Sequence, residues 1–251
     1  MDQNEVDRAQ DSRERLRSAI RQTAPGTSLR HALDMIIAGH MGALICIGDT
    51  DAVLAAGDDG FKLDISFTAN RLFELSKMDG AIVIDKGLTQ ILRANYHLNP
   101  DPSLPTSETG MRHRTAARMS LLTKAIVISV SERRQVVNVF VDGKGHQLRT
   151  VTQIMASVNQ LLVSLQSTRT QLDRSLLRLT TLELDNYATL SDITETIYLF
   201  EVLATVAEQL DRLILELGSE GKTIEMQRDE FVGDASENYT LLVRDYAADS
   251  S

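Results

Sequence analysis

The chain has 251 residues, 43% of them hydrophobic and 24% charged, which is ordinary for a globular protein of one large domain or two smaller ones. Its single cysteine, Cys46, can form no internal disulfide, and no apolar run reaches the ~18 residues that span a bilayer, so we expect no membrane segment. The first residues are polar and unlike a signal peptide, which favours a cytoplasmic protein.

The formal net charge of -9 is unevenly distributed along the chain. Residues 151–251 contain 7 basic and 17 acidic side chains, whereas residues 1–150 contain 19 basic and 18 acidic ones. A strongly acidic second half repels the phosphate backbone of DNA, so we expect it to be a poor DNA-binding surface. The first half carries enough positive charge to hold a nucleotide.

Two helices are predicted at the start of the chain. Residues 1–11 look disordered or frayed, and a first helix is predicted from there to about Thr23. A second helix is predicted after Gly26, where the hydroxyl group of Thr27 or Ser28 can cap it.

The pattern then changes to short runs rich in Val, Ile and Ala, bounded by turn residues such as Gly-Asp and Asp-Gly pairs. Such runs are typical of strands, several of them buried on both faces of a sheet. Helical patterns lie between them, at 67–77 and 115–124. Strands that alternate with helices predict an α/β domain with a mixed sheet flanked by helices. The predicted strands are 42–48, 52–57, 81–85, 125–131 and 135–141.

The strand pattern disappears in the second half of the chain. Leucines recur at helical spacing over 148–180 and 191–217, and a last helix is predicted from about Thr223. Residues 1–150 are therefore expected to form the α/β domain, and residues 151–251 an all-α domain.

The first group of residues that could carry chemistry is Asp79-Gly80-Ala81, at the entry to a predicted strand. Mg²⁺ and Mn²⁺ prefer oxygen ligands such as this carboxylate, and they usually share them with substrate phosphates. An Asp-Gly pair is also one of the commonest turn sequences, and taken alone it favours a simple turn.

The second group lies after residues 99–110, a segment with three of the four prolines that is predicted to be a loop. Arg112, His113, Arg114 and Thr115 follow it at the start of a predicted helix. Cationic side chains and a hydroxyl group beside free helical N–H groups are typical of an anion site. The alternative is a solvated basic patch, although a long loop before it favours function.

The third group is Ser131-Glu132-Arg133-Arg134, at the end of a predicted strand, where α/β domains often bind ligands. A charged turn that ends the strand is an equal alternative. The sequences typical of P-loops, dinucleotide-binding turns, nucleophile elbows and zinc sites are absent. Four isolated histidines are expected to be structural or exposed, namely His31, His40, His97 and His146.

Asp79-Gly80-Ala81 and Arg112-His113-Arg114 resemble the paired DGA and RHR motifs of the diadenylate cyclase family. Gly42-Ala43-Leu44-Ile45 resembles the first core strand of that family. Longer segments, among them LFELSKMDGAIV and ELGSEGKTIEMQRDE, are similar to its branch of DNA integrity scanning proteins, so the resemblance covers nearly the whole chain. That branch ordinarily continues into a helix-hairpin-helix DNA-binding domain, about where this sequence stops, so we expect DNA binding to be weak or absent.

The resemblance implies an enzyme that condenses two ATP into cyclic di-AMP and releases two pyrophosphates, at a site shared by two facing subunits of an octamer. Residues 1–150 would be the catalytic domain, and 151–251 a helical linker or spine. Asp79 would hold Mg²⁺ or Mn²⁺ and would help to deprotonate the 3′-hydroxyl group. The phosphates would be held by Arg112, His113, Arg114 and Thr115, with Ser131 and Arg134 as secondary contacts; the remaining substrate-binding residues would be Gly80, Ala81, Leu98 through its backbone, and Met111.

Two other functions remain open at this stage. One is a sensor that binds ATP or cyclic di-AMP without turnover, which a pyrophosphate-release measurement would distinguish from an enzyme. The other is a scaffold linked to DNA integrity checking, for which the acidic second half is a poor DNA-binding surface.

Overall fold

The computed structural model describes residues 3–247, with side chains from residue 10 onward. The chain divides into two compact units, Met1–Arg149 and Thr150–Ser251. In chain order, the described elements of the first unit are α1 (Gln3–Gln22), α2 (Ser28–Ala38), β1 (Ala43–Ile47), α3 (Thr50–Ala55), β2 (Gly57–Asp58), β3 (Phe61–Ser66), α4 (Ala69–Leu75), β4 (Ala81–Ile84), β5 (Gln90–Leu98), α5 (Met111–Leu122), β6 (Ile126–Ser131), β7 (Val136–Val141) and β8 (Lys144–Gln147). Those of the second unit are α6 (Val151–Leu184), α7 (Leu190–Leu217), a short 3-10 helix (Gly218–Gly221), α8 (Lys222–Val232) and α9 (Ala235–Tyr246).

The strands of the first unit form one mixed sheet in the order β2-β5-β4-β1-β6-β7-β8, and β3 also pairs with β5. β1 and β4 run parallel, with Ile45 opposite Ile82, and the other pairings among the described strands are antiparallel. The predicted fold class is confirmed: a mixed sheet flanked by helices, followed by a helical region.

Helices cover both faces of this sheet. On one face, α1, α2 and α4 pack against alternate residues of the central strands, including Ile45, Ile82 and Ile128. On the opposite face, α3 and α5 pack against the intervening residues, including Cys46 and Val127. β1, β4 and β6 are therefore buried on both faces, which is why they are continuous apolar runs in the sequence.

One predicted strand is wrong. Residues 52–57 fall mostly in the helix α3, whose one buried residue is Val53. A short apolar run bounded by turn residues has no periodicity that separates a helical turn from a strand. The chain enters α3 through Gly48 and Asp49, both with positive φ, and this sharp turn cannot be read from the apolar pattern.

Three strands, β3, β5 and β8, were not predicted. Charged and polar residues interrupt their apolar positions, as in the sequence QILRANYHL of β5. Their place in the sheet comes from pairing rather than from their own pattern: β5 pairs with β4, β3 pairs with β5, and β8 pairs with β7. β5 is the most consequential omission, because its end borders the site described below.

The start of the chain also differs from the expectation. Helix α1 begins at Gln3, so residues 3–11 are helical rather than disordered, while residues 1 and 2 lie outside the described part of the chain. The second helix begins where it was predicted, and the side chain of Thr27 accepts a hydrogen bond from the N–H of Arg30 at 3.1 Å.

The second unit is built on the long helices α6 and α7, which pack along an apolar seam that includes Leu165, Leu172, Leu203 and Leu210. Each of the two helices begins with a capping box, centred on Thr150 and Thr189. α7 ends at Gly218, whose φ of 56° lies in the region that favours glycine. The single predicted last helix is two helices, α8 and α9.

Within residues 3–247, none of the helices combines the length and the apolar character needed to cross a lipid bilayer.

Candidate active site

One edge of the sheet brings together the starts of β1 and β4 and the ends of β5 and β6. Ala43 lies opposite Val130, and Ala81 lies opposite Tyr96. These four strand ends, the loop 99–110 and the start of α5 border a cavity of about 780 Å³. A cavity of this volume is in the range that binds small molecules and cofactors.

The turn before β4 places Asp79 at the mouth of this cavity. Its side chain is 96% exposed. Gly80 has a φ of +85°, and a Cβ on it would lie 2.8 Å from the backbone carbon of Asn95. Only glycine fits there without strain, since the turn runs directly against β5. Gly80 therefore fixes the position of Asp79 against the sheet, beyond any contact it makes with a ligand.

The start of α5 forms the opposite wall. Its N-cap residue, Gly110, is extended and provides no capping side chain. The first hydrogen bond of the helix joins the N–H of Arg114 to the carbonyl oxygen of Gly110, at 2.8 Å. The preceding N–H groups have no partner within the helix and suit an anion.

The two predicted motifs meet in this cavity. Nη2 of Arg112 lies 3.9 Å from Oδ1 of Asp79, although the two residues are far apart in sequence. The guanidinium group also passes over Gly42, where a Cβ would overlap Nη1. A side chain at position 42 would therefore displace the guanidinium group of Arg112 from its observed place, a relation that the position of Gly42 before the first core strand does not reveal.

His113 lies against the sheet. Its Nδ1 is 3.4 Å from Oγ of Ser129, and its Nε2 is 3.0 Å from Nδ2 of Asn138. Its ring meets the ring of Phe140 edge-on, with centroids 6.0 Å apart. Both ring nitrogens therefore face protein groups.

Arg114 is the one predicted site residue that does not line the cavity. It is exposed and lies two positions after Arg112, which places it on the opposite side of α5. Thr115 follows Arg112 by three residues, shares its side of the helix, and does line the cavity.

The remaining predicted residues line the cavity from three directions: Ala81, Leu98, Met111, Ser131 and Arg134. Ser131 ends β6, and its Oγ accepts a hydrogen bond from the N–H of Arg134 at 3.3 Å across the β6–β7 turn. Leu98 ends β5.

The cavity also contains residues that sequence reasoning missed. His97 was expected to be isolated, yet it lines the cavity, as do its neighbours Tyr96 and Asn99. The reason is that β5 was not predicted, so nothing placed its end at the site. Glu108 and Thr109 line the cavity from the proline-rich loop, whose position before the basic cluster was the available signal.

Asp79 is the predicted ligand for a divalent cation at this site. Among the described residues, no group of three or more His, Cys, Asp or Glu side chains is arranged to hold a metal. The exposed carboxylate of Asp79 at the cavity mouth instead suits a cation shared with phosphate oxygens and water, which is how Mg²⁺ is usually bound.

Two family models match consecutive parts of the chain. Residues 30–145 match the nucleotide-binding region of the DisA bacterial checkpoint controller, and residues 148–251 match its linker region.

Longer relatives of the chain carry the same family name. The DNA integrity scanning protein DisA of Symbiobacterium thermophilum is 41% identical over 229 residues, which are 91% of this chain and 65% of that protein. The protein of the same name from Carboxydothermus hydrogenoformans is 39% identical over 234 residues, 93% of this chain and 66% of that one. The chain therefore spans slightly less than two thirds of the length of these relatives.

Among solved structures, DacA from Staphylococcus aureus is 27% identical with a TM-score of 0.40, covering 49% of this chain and 85% of that one.

Proposed function

Because this chain belongs to the DisA family of bacterial checkpoint controllers and carries that family's nucleotide-binding domain, we propose that it is a diadenylate cyclase. In the proposed reaction, the 3′-oxygen of each ATP attacks the α-phosphate of the other. Each attack forms one phosphodiester bond, breaks the bond to the β-phosphate, releases one pyrophosphate and transfers the 3′-hydroxyl proton to a base or to solvent. The products are cyclic di-AMP and two pyrophosphates.

The observation that carries the proposal is the meeting of Asp79 and Arg112, 3.9 Å apart, at the mouth of a cavity beside an uncapped helix start. One carboxylate for a cation, one guanidinium group and a row of N–H groups form a site for a triphosphate. Nucleotidyl transfer needs positioning and charge neutralisation more than covalent assistance.

We assign the phosphates to Arg112, Thr115 and the first N–H groups of α5, with Ser131 and Arg134 contacting them from the β6–β7 turn. Arginine suits this task because its planar fork can donate two hydrogen bonds to one phosphate group. The backbone at Leu98 borders the same cavity and is proposed to read the edge of the adenine.

Asp79 would hold Mg²⁺ or Mn²⁺ together with the phosphates of ATP, and would accept or relay the proton of the 3′-hydroxyl group. The cation would supply neutralisation of the phosphate charge during transfer. Asp79 and Arg112 form a loose ion pair in the protein alone, so a cation held by Asp79 would share this carboxylate with the guanidinium group.

Cyclic di-AMP needs two ATP molecules, and the first unit has one phosphate-binding cluster. We therefore propose that two subunits face each other with their cavities opposed, in a homo-octamer whose helical units form the spine. The exposed position of Arg114, directed away from its own cavity, suits a contact with the nucleotide of the facing subunit. Because ATP is a metabolite of the cytoplasm, we expect the protein to act there.

The decisive experiment incubates the protein with ATP and Mg²⁺ or Mn²⁺, measures pyrophosphate release, and identifies the nucleotide product by mass spectrometry. We expect cyclic di-AMP and two pyrophosphates per product. Tight ATP binding with no pyrophosphate would instead assign the protein as a nucleotide sensor.

A further inference from the structure

The face of the sheet under α5 contains two polar residues directly opposite each other. Ser129 of β6 is the cross-strand partner of Asn138 of β7. The next pair on the same face is apolar, Val127 opposite Phe140, and it belongs to the core beneath α5. Ser129 has 0% exposure, so its hydroxyl group needs a partner inside the protein.

That partner is the ring of His113, which contacts both members of the polar pair. Oγ of Ser129 lies 3.4 Å from Nδ1, and Nδ2 of Asn138 lies 3.0 Å from Nε2. With the edge-on contact to Phe140, the ring of His113 is held by three side chains of the sheet.

These contacts determine where the ring proton lies. The amide nitrogen of Asn138 carries hydrogens and cannot accept a hydrogen bond, so it donates to Nε2, which must be unprotonated. A neutral imidazole then carries its proton on Nδ1, which donates to the hydroxyl oxygen of Ser129. Neither nitrogen is left to donate to a phosphate or to exchange a proton with substrate.

His113 lies at the start of α5, next to the residues that line the cavity. It is the third residue of α5, on the same side of the helix as the buried Ala116 and Ala117. Arg112 directly precedes His113. The contacts of His113 with the sheet therefore fix the first turn of α5, which bears the guanidinium group and the unpaired N–H groups.

We propose that Ser129 and Asn138 are positioning residues that hold the ring of His113 in the tautomer with its proton on Nδ1, and thereby set the geometry of the phosphate-binding turn of α5. His113 is then an anchor, rather than the phosphate contact that the resemblance of its motif implies. The consequence for ATP rests on the proposed function, whereas the state of the ring does not.

The first test is made on the protein without nucleotide. Solid-state NMR of ¹⁵N-histidine-labelled protein distinguishes a protonated from an unprotonated ring nitrogen, and the signal missing from His113→Gln identifies His113 among the 5 histidines. We expect a protonated Nδ1 and an unprotonated Nε2. Asn138→Asp should move the proton to Nε2, since a carboxylate can only accept. A wild-type ring protonated on Nε2, or on both nitrogens at neutral pH, would overturn the proposal.

The second test measures ATP affinity in a double-mutant cycle. Asn138→Leu should weaken ATP binding about tenfold, the effect of losing one hydrogen bond. In a His113→Ala background it should cause almost no further loss, because Asn138 acts through His113. Equal losses of ATP affinity in both backgrounds would mean that Asn138 affects binding independently of His113, which would contradict the positioning role.

Two variants separate positioning from stability. Ser120→Ala removes an equally buried hydroxyl group from the same helix–sheet layer, one that bonds the carbonyl oxygen of Ala117 and the N–H of Gly143. It should lower thermal stability and leave ATP affinity unchanged. His113→Gln, which can still accept from Asn138, should bind ATP better than His113→Ala; equal binding by the two would contradict the anchor.

The two tests also separate this inference from the proposed function. A wild-type protein that binds no ATP would refute the proposed function, while the NMR measurement would still decide the state of His113. An Nδ1 proton with an additive mutant cycle would confirm the ring state and reject its role in positioning.

Discussion

At the scale of single residues, Asp79 illustrates how an exposed side chain can have a fixed position. It is almost fully accessible, yet Gly80 holds its turn against β5 in a conformation that other residues rarely adopt. Exposure leaves the carboxylate open to a cation, and the glycine fixes the turn that carries it.

We predict that Asp79→Asn abolishes cyclisation and leaves the fold intact. The amide keeps the shape of the side chain but loses the charge that holds a divalent cation, which can lower the rate about a thousandfold. Pyrophosphate release and circular dichroism measure the two effects. Asp59→Asn is a matched control, because Asp59 is also an exposed turn aspartate but does not line the cavity. Near-normal turnover by folded Asp79→Asn would remove this residue from the mechanism.

We also predict that Arg112→Ala and Arg114→Ala both weaken ATP binding and turnover, and that lysine at either position restores only part of the loss. Lysine supplies a point charge without the planar fork of arginine. Because Arg112 lines the cavity and Arg114 does not, the loss of ATP affinity should be larger for Arg112→Ala. Calorimetric titration and initial rates provide the comparison; unchanged affinity and rate in both variants would identify the cluster as a surface patch.

At the scale of elements, the turn between β4 and β5 is held by one side chain, the carboxylate of Asp85, where the backbone hydrogen bonds between the two strands end. The carboxylate of Asp85 accepts hydrogen bonds from the N–H groups of Thr89 and Gln90, both at 2.7 Å, and from the hydroxyl group of Thr89 at 2.7 Å. Burial acts to raise the pKa of Asp85, but the hydrogen bonds from Gln90, Thr89 and Gly87 outweigh it and hold the pKa below its usual 3.8.

We predict that Asp85→Asn destabilises the protein by about 1 kcal/mol at neutral pH, a small value because solvent competes for these bonds. The folded pKa is lower than the unfolded one, so this contribution is present above about pH 4 and is lost as pH falls through the folded pKa. Urea unfolding at several pH values measures it. A difference between wild type and variant that does not diminish as the pH is lowered below about 4 would contradict the assignment to the charged carboxylate.

At the scale of the whole molecule, the proposed reaction sets a requirement that one subunit cannot meet. In that reaction each phosphodiester bond would join nucleotides held by different subunits, so a productive site would need two competent partners. The proposed phosphate ligands of the first unit form one set, beside the Asp79–Arg112 pair.

We predict that when wild-type chains assemble at random with Asp79→Asn chains, the yield of cyclic di-AMP falls as the square of the wild-type fraction. A mixed pair could still form one bond, so the linear di-adenylate intermediate should accumulate. Product yield against mixing ratio, with subunit composition from native mass spectrometry, measures the dependence. Wild-type assemblies diluted with buffer are the control. If the yield falls in direct proportion to the wild-type fraction in confirmed mixed assemblies, the two-subunit mechanism is wrong.

We further predict that this chain binds duplex DNA weakly at most. Residues 151–251 carry 17 acidic against 7 basic side chains, which oppose a phosphate backbone. Any residual binding should come from the first unit and should disappear as salt is raised. Fluorescence anisotropy of labelled duplex DNA at increasing salt tests this prediction. Tight binding at physiological salt would contradict it.

The sequence by itself determined the class of the fold and singled out Asp79 and Arg112, which the structure brings to one cavity. Strands buried on both faces and helices with a leucine stripe are recognisable because their periodicity is local, and Asp79 and Arg112 are recognisable because their motifs are contiguous. Tertiary structure alone decided that β5 joins the sheet, that the guanidinium group of Arg112 lies against Gly42, and that Ser129 and Asn138 contact His113. Each of these depends on pairing between segments distant along the chain, which no local pattern encodes. The same reason explains why residues 52–57 were mistaken for a strand: a run of six residues becomes helix or strand according to what packs against it.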